Sequence, residues 1–208
     1  MKKLVVVLFA LVFASVLYAD VFSNPFTGDT ASLPGLSSNG SPVVSAYTQT
    51  KTISRLNRKL VSSGTFILKP ESGMAWATVK PYESVLFVGR SEAKQRIGQG
   101  KTSVMEVSEN AIYNSIARAI ESIVSGDYEV ALEFFALYFE ETEEGWAIGF
   151  KPEGAVLSSY MDNVVVRGTG DQMRSVLLKE VSGNTILYEF EGLDARDLTD
   201  EEERLFAL

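Results

Sequence analysis

The sequence predicts an α+β chain in which an antiparallel sheet curls into an unclosed β-barrel, a half-barrel, under a helical lid. Three observations predict it. Short runs of alternating apolar and polar residues follow one another from Val43 to Val88 and again from Phe134 to Glu191, joined by short connections, which is the pattern of antiparallel meanders. Between them apolar residues recur at spacings of three and four, the period of an amphipathic helix. A sheet of about nine or ten strands curls, and the helix must bury its stripe against the concave face. With 208 residues, 46% of them hydrophobic, the chain suffices for one well-filled domain and is short for two.

The N-terminus reads as a secretory signal peptide over residues 1–19. Met1-Lys2-Lys3 is a basic start, Leu4 to Ala14 is apolar throughout, and Leu17-Tyr18-Ala19 ends on a small residue at the expected cut. The apolar stretch is shorter than the roughly 20 residues a spanning helix needs. Export to a bacterial periplasm is the expectation. Residues 20–42 alternate Pro25, Pro34 and Pro42 with Gly28, Gly35 and Gly40 without any period, which predicts a flexible lead-in to a single domain over 43–208.

Strands are then expected at Val43–Ile53, Gly64–Lys69, Met74–Val79, Ser84–Val88 and Lys94–Ile97, with a polar bend at Ser54 to Lys59 and turn residues at Pro70 to Gly73. The helix runs from Ala111 to Val124, behind a Ser108 cap and before Gly126. A helical turn over Asp127 to Leu132 precedes strands at Phe134–Glu140, Trp146–Lys151, Asn163–Arg167, Met173–Val181 and Thr185–Glu191. Thr199 and Glu202 form a capping-box pair opening a short acidic helix to Phe206.

Composition excludes several chemistries. The formal net charge of −8 disfavours nucleic acid, whose binders carry a basic face. Without Cys there are no disulfides, thiolate metal sites or lipobox anchor; without His the commonest general base and metal ligand is missing. Gly100-Lys101-Thr102 lacks the earlier glycine of a phosphate loop, Gln95 standing in its place, and no Gly-x-Ser-x-Gly elbow exists. Glu140, Glu141, Glu143 and Glu144 read as a solvated hairpin tip rather than a calcium site. No catalytic residue, metal or cofactor is expected.

An ordered series of motifs resembles the LolA family of periplasmic lipoprotein carriers. It comprises the aromatic-x-Gln of Tyr47-Thr48-Gln49, the strand Gly64-Thr65-Phe66-Ile67-Leu68-Lys69-Pro70, Trp76, and Lys80-Pro81 leading Ser84 to Val88. Gly126-Asp127, the Phe135 strand, Gly145-Trp146-x-Ile148-x-Phe150-x-Pro152 and the Gly183-Asn184-Thr185 region extend the likeness to about Glu191. The resemblance implies a half-barrel whose cavity holds acyl chains of a lipoprotein received from an inner-membrane ABC exporter and passed toward the outer membrane, to a receptor where one is present. A monomer without enzymatic activity is implied. Exposing an acyl chain of about 16 carbons costs roughly 12 kcal/mol, so crossing water requires shielding. The family's covering N-terminal helix is replaced here by the lead-in. Its basic residue in the turn before the third strand aligns with Pro70, beside Lys69; these two are the expected cargo-transfer turn.

The expected cavity residues are Tyr47 and Gln49 near the rim, Phe66, Leu68, Met74, Trp76, Leu86, Val88, Phe135 and Leu137 on one face of each strand, and Ile112, Ile116 and Ile120 from the helix. Val85 with Phe87 is the alternative inward pair on the fourth strand. Two other functions share the pattern: a glycolipid-binding or envelope-sensing module that holds a partner's lipidated or extended tail, and a carboxylate enzyme acting on envelope glycans or lipids. In a closed core the same side chains would simply fill the interior.

Overall fold

The computed structural model describes residues 20–34, 40–89, 91–106 and 111–207, without the side chains of 105–106 and 111–116. The expected leader, the Ser108 cap and the side chains of Ile112 and Ile116 lie outside the described residues. Strands β1 (Val43–Ile53), β2 (Arg58–Lys69), β3 (Gly73–Lys80), β4 (Ser84–Val88), β5 (Glu92–Ile97) and β6 (Ser103–Glu106) form the first meander. Helices α1 (Ala111–Ser125) and α2 (Tyr128–Ala131) lead to β7 (Phe135–Thr142), β8 (Gly145–Pro152), α3 (Ala155–Ser158), β9 (Met161–Thr169), β10 (Gln172–Glu180) and β11 (Thr185–Phe190). Short β12 (Asp194–Ala195) and α4 (Asp200–Glu203) close the chain. The Thr199–Glu202 capping box is present in both directions, but the helix stops at Glu203 rather than continuing to Phe206.

All strand pairs are antiparallel, and the two meanders meet through β1 and β11, with Tyr47 opposite Phe190 and Thr52 opposite Thr185. The sheet order is β6-β5-β4-β3-β2-β1-β11-β10-β9-β8-β7, with β12 on the start of β1. Among the described residues β6 and β7 do not pair, so the barrel is unclosed, as the sequence predicts. This order explains the helix. The chain leaves the sheet at one edge and re-enters at the other, so the connection must cross a face. The α1 stripe containing Ala119, Ile123 and Val124 buries itself there with Phe66, Phe135, Phe150 and Val166.

Strand alternation gives the sheet two differently used faces. The concave face carries the main core. On the convex face Val44, Ile67 and Ala75 are covered by Leu198, Leu205 and Phe206 of the C-terminus. Arg196 donates to both carboxylate oxygens of Glu202 at 2.7 and 2.8 Å, fixing that terminus. This bidentate grip, helped by Thr199, holds the Glu202 carboxyl down to about 2, against an ordinary 4.5. A carboxyl depressed on folding contributes stability above its unfolded pKa and loses it as pH falls through the folded one. Protection of the α4 amides, corrected for intrinsic exchange, should therefore fall between about pH 4.5 and 2. Glu202→Gln should reproduce the loss at pH 7.

Residues 20–34 correct the expectation of a flexible lead-in. Two 3₁₀ turns, Val21–Ser23 and Thr30–Ser32, are capped by the side chains of Asp20 and Asp29. Val21 packs with Ala147 and Val165 on the convex face. The chain then runs along the outer edge of β7: Phe26 N donates to Leu137 O at 2.9 Å and Phe139 N to Asn24 O at 3.1 Å. Beyond that edge Leu33 joins the concave core, and Tyr128 Oη donates to Pro34 O at 2.7 Å. Thr30 Oγ1 donates to the Glu129 carboxylate. The segment thus wraps β7 from one face to the other.

Gly168 shows how tightly the filled part of the core is built. A Cβ there would meet Trp146 Cζ2 at 2.1 Å, while the indole Nε1 donates to Gly170 O at 2.6 Å. Gly168→Ala should dislodge Trp146, lowering stability by about 1–3 kcal/mol and changing tryptophan emission. An unchanged denaturation midpoint would contradict this packing.

Candidate functional site: an apolar cavity under the helix

Between α1 and the concave face the core is not full. A cavity of about 420 Å³ lies against Phe66, Met74 and Trp76 on one side and Val176, Tyr188 and Phe190 on the other, with Ile120, Ile123 and Val124 of α1 above. The sheet register builds this wall. Phe66 faces Trp76, which faces Leu86, so three successive strands present one apolar row inward. Phe66 and Trp76 rings sit 5.1 Å apart, Phe66 and Phe190 5.6 Å.

Of the expected cavity residues, Tyr47, Gln49, Phe66, Met74, Trp76, Leu86, Val88 and Ile120 line this space. The choice on β4 is settled for Leu86 and Val88, because Phe87 points to the convex face and meets Phe206 edge-on at 5.6 Å. Leu68, Phe135 and Leu137 are corrected: they share the inward phase but lie in the packed part of the core, at 4%, 1% and 3% exposure, and do not touch the cavity. Sequence reasoning missed the contribution of the second meander, namely Met161, Val164, Val176, Leu178, Ile186, Tyr188 and Phe190. The inward alternation of Val176 with Leu178, and of Ile186, Tyr188 and Phe190, was the available signal.

Among the described residues the wall holds no carboxylate or cation; its polar groups are uncharged. The Tyr47 and Thr78 hydroxyls share a hydrogen bond of 2.7 Å. Burial pushes the Tyr188 hydroxyl up to about 12, neighbouring Tyr47 adding to the shift, and burial also raises Tyr47. Both phenols are therefore neutral across physiological pH. Gln49, Thr78 and Ser84 lie on the part of the wall nearest the end of the sheet where β1 finishes and β2 begins. A second hollow of about 330 Å³ adjoins at Met74 and Val88 but is edged by Arg118, Glu121 and Asp127. Its charged border makes it the poorer home for an apolar ligand.

The cargo-transfer turn is elsewhere. Lys69 and Pro70 sit at the opposite end of the sheet, where β2 finishes. Lys69 points to the convex side, its Nζ 2.6 Å from Glu203 and 5.5 Å from the Phe206 ring centre. That ammonium helps hold the C-terminal segment and is not presented to the cavity.

Fold and site together define a half-barrel with an uncharged apolar hollow beneath a crossing helix. No family model matches the sequence, and no curated protein matches it. Solved structures similar to this chain include a LolA superfamily protein from Nitrosomonas europaea, at 6% identity over 78% of this chain and 89% of that one, TM-score 0.43. An outer membrane lipoprotein-sorting protein domain from Vibrio parahaemolyticus is 10% identical over 86% of this chain and 100% of that one, TM-score 0.41. The MucA/MucB complex of Pseudomonas aeruginosa is matched at 11% identity, over 81% of this chain and 56% of that one, TM-score 0.33. These likenesses concern layout and say nothing of what the cavity holds.

Proposed function

We propose that this chain is a non-catalytic periplasmic carrier whose cavity shelters the acyl chains of a lipoprotein or another lipid in transit toward the outer membrane. The observation that carries the reading is the cavity itself: about 420 Å³ of space with a mainly apolar, uncharged wall, within the roughly 300–1,000 Å³ that ligand sites occupy. Gln49, Thr78, Ser84 and Gln95 set a few uncharged polar groups in a mainly greasy wall, which suits an amphiphile with its tail against the apolar side chains and its polar head toward Gln49, Thr78 and Ser84. In this reading an inner-membrane ABC exporter supplies the cargo, a receptor in the outer membrane takes it, and the carrier acts as a monomer. A glycolipid would satisfy the same wall.

The test is native mass spectrometry of protein purified from periplasm, with uptake of a fluorescent acyl probe. Co-purifying lipid or lipoprotein and saturable uptake of about one probe per chain are expected. A clean apo mass together with no uptake would overturn the reading.

A further inference from the structure

Every exposed large hydrophobic residue among those described lies toward one end of the sheet. Leu56, Leu60 and Val61 are on the β1–β2 hairpin, Val79 and Tyr82 flank the β3–β4 turn, and Ile97 ends β5; Val104, Leu132, Val156, Tyr160 and Val181 belong to the same end. Strand pairing fixes this placement, since β1, β3, β5 and β10 finish there while β2, β4, β6, β7, β9 and β11 begin there. The hairpin also overhangs its neighbour. β3 ends at Lys80 opposite Ser63, whereas β2 begins at Arg58, so residues 58–62 pair with β1 but reach beyond β3, by roughly 15 Å. The tip is held up from the far side, Ser54 N donating to Asn184 Oδ1 at 3.1 Å.

The three loops of this end that belong to the first meander are basic. Residues 54–61, 79–84 and 96–103 hold Arg55, Arg58, Lys59, Lys80, Arg96 and Lys101 against Glu83 alone, in a chain whose net charge is −8. All of them except Arg96 are exposed. Exposed apolar side chains interleaved with arginine and lysine are what a surface needs to enter the headgroup layer of an anionic bilayer, the apolar tips reaching inward while the cations stay at the phosphates. A protein partner could use the apolar tips, but the concentration of positive charge against the sign of the whole chain favours anionic lipid.

We infer that the projecting β1–β2 hairpin and the β3–β4 and β5–β6 turns beside it form a docking surface for anionic phospholipid membranes, placed at the end of the sheet toward which the cavity wall runs. The inference deepens the carrier reading by giving the site of exchange, yet its test does not depend on cavity occupancy. Protein processed and purified from the expressing bacterium should sediment with vesicles containing phosphatidylglycerol and not with pure phosphatidylcholine vesicles, and 0.5 M salt should release it. Arg55→Gln/Arg58→Gln/Lys59→Gln should weaken the partition about a hundredfold, at roughly fivefold per cation. Leu56→Ser/Leu60→Ser/Tyr82→Ser should also weaken it, while acyl-probe uptake stays at the parental level in both variants and reports an intact fold. No sedimentation with anionic vesicles, or equal sedimentation of the variants and the parent, would overturn the proposal; the first result would leave this end to a protein partner. Loss of probe uptake by the parent with vesicle docking preserved would instead strike the carrier reading alone.

Discussion

Val176→Trp should weaken uptake of an acyl probe about a hundredfold while shifting Tm by less than about 2 °C. Val176 is half-buried on β10 and faces the cavity across from Met74 and Trp76. An indole placed there occupies space that a ligand would use, excluding about three or four methylenes. At about 0.8 kcal/mol each this amounts to roughly 3 kcal/mol, which is the hundredfold in Kd. The same change in a filled interior forces neighbours off their rotamers and costs about 1–3 kcal/mol of stability. Binding and stability thus respond in opposite ways to a hollow and a packed interior. Urea denaturation beside a probe titration separates them. A destabilised variant with unaltered uptake would place the ligand elsewhere.

Phe150→Ala should do the reverse, lowering stability by about 3–5 kcal/mol. Phe150 is fully buried on β8, with its ring 5.7 Å from Phe135 and 6.2 Å from Tyr128, and it does not line the cavity. Its removal takes apolar contact from the packed half of the core, where no pre-existing space absorbs the loss. Trp76→Ala is the companion on the hollow side. That indole is half-buried and already borders open volume, so its truncation should cost less stability than Phe150→Ala and more affinity. Equal unfolding midpoints for the two variants would argue against a core divided into filled and hollow parts.

How far the sequence discloses this arrangement depends on whether a feature is local. Val43–Ile53 and Ser84–Val88 are strands with the predicted bounds, and the helix differs from its predicted span by one residue, because alternation and the three-four spacing are properties of neighbouring residues. β6 carries little apolar alternation and is made by pairing with β5, and two-residue β12 exists only on the start of β1; neither has a period to read. The wrapping of residues 20–34 depends on Val21 finding Ala147 and Val165, partners more than a hundred positions away. The site follows the same division. Which face of β3 turns inward is legible from Met74 and Trp76. Whether a given inward side chain meets space or another side chain is not, and so Leu68 and Trp76, in equivalent phase, end in different surroundings.

The strap formed by residues 20–34 has a colloidal consequence. An open sheet exposes two rows of unsatisfied peptide groups on which foreign strands can add. Here one row is occupied by the chain's own backbone through Phe26 and Asn24, and the other belongs to a strand of four residues, too short to template much growth. Losing the strap would uncover the β7 row together with the Val165 patch beneath it. The half-barrels would then stack edge to edge, and the chain would polymerise instead of remaining dispersed.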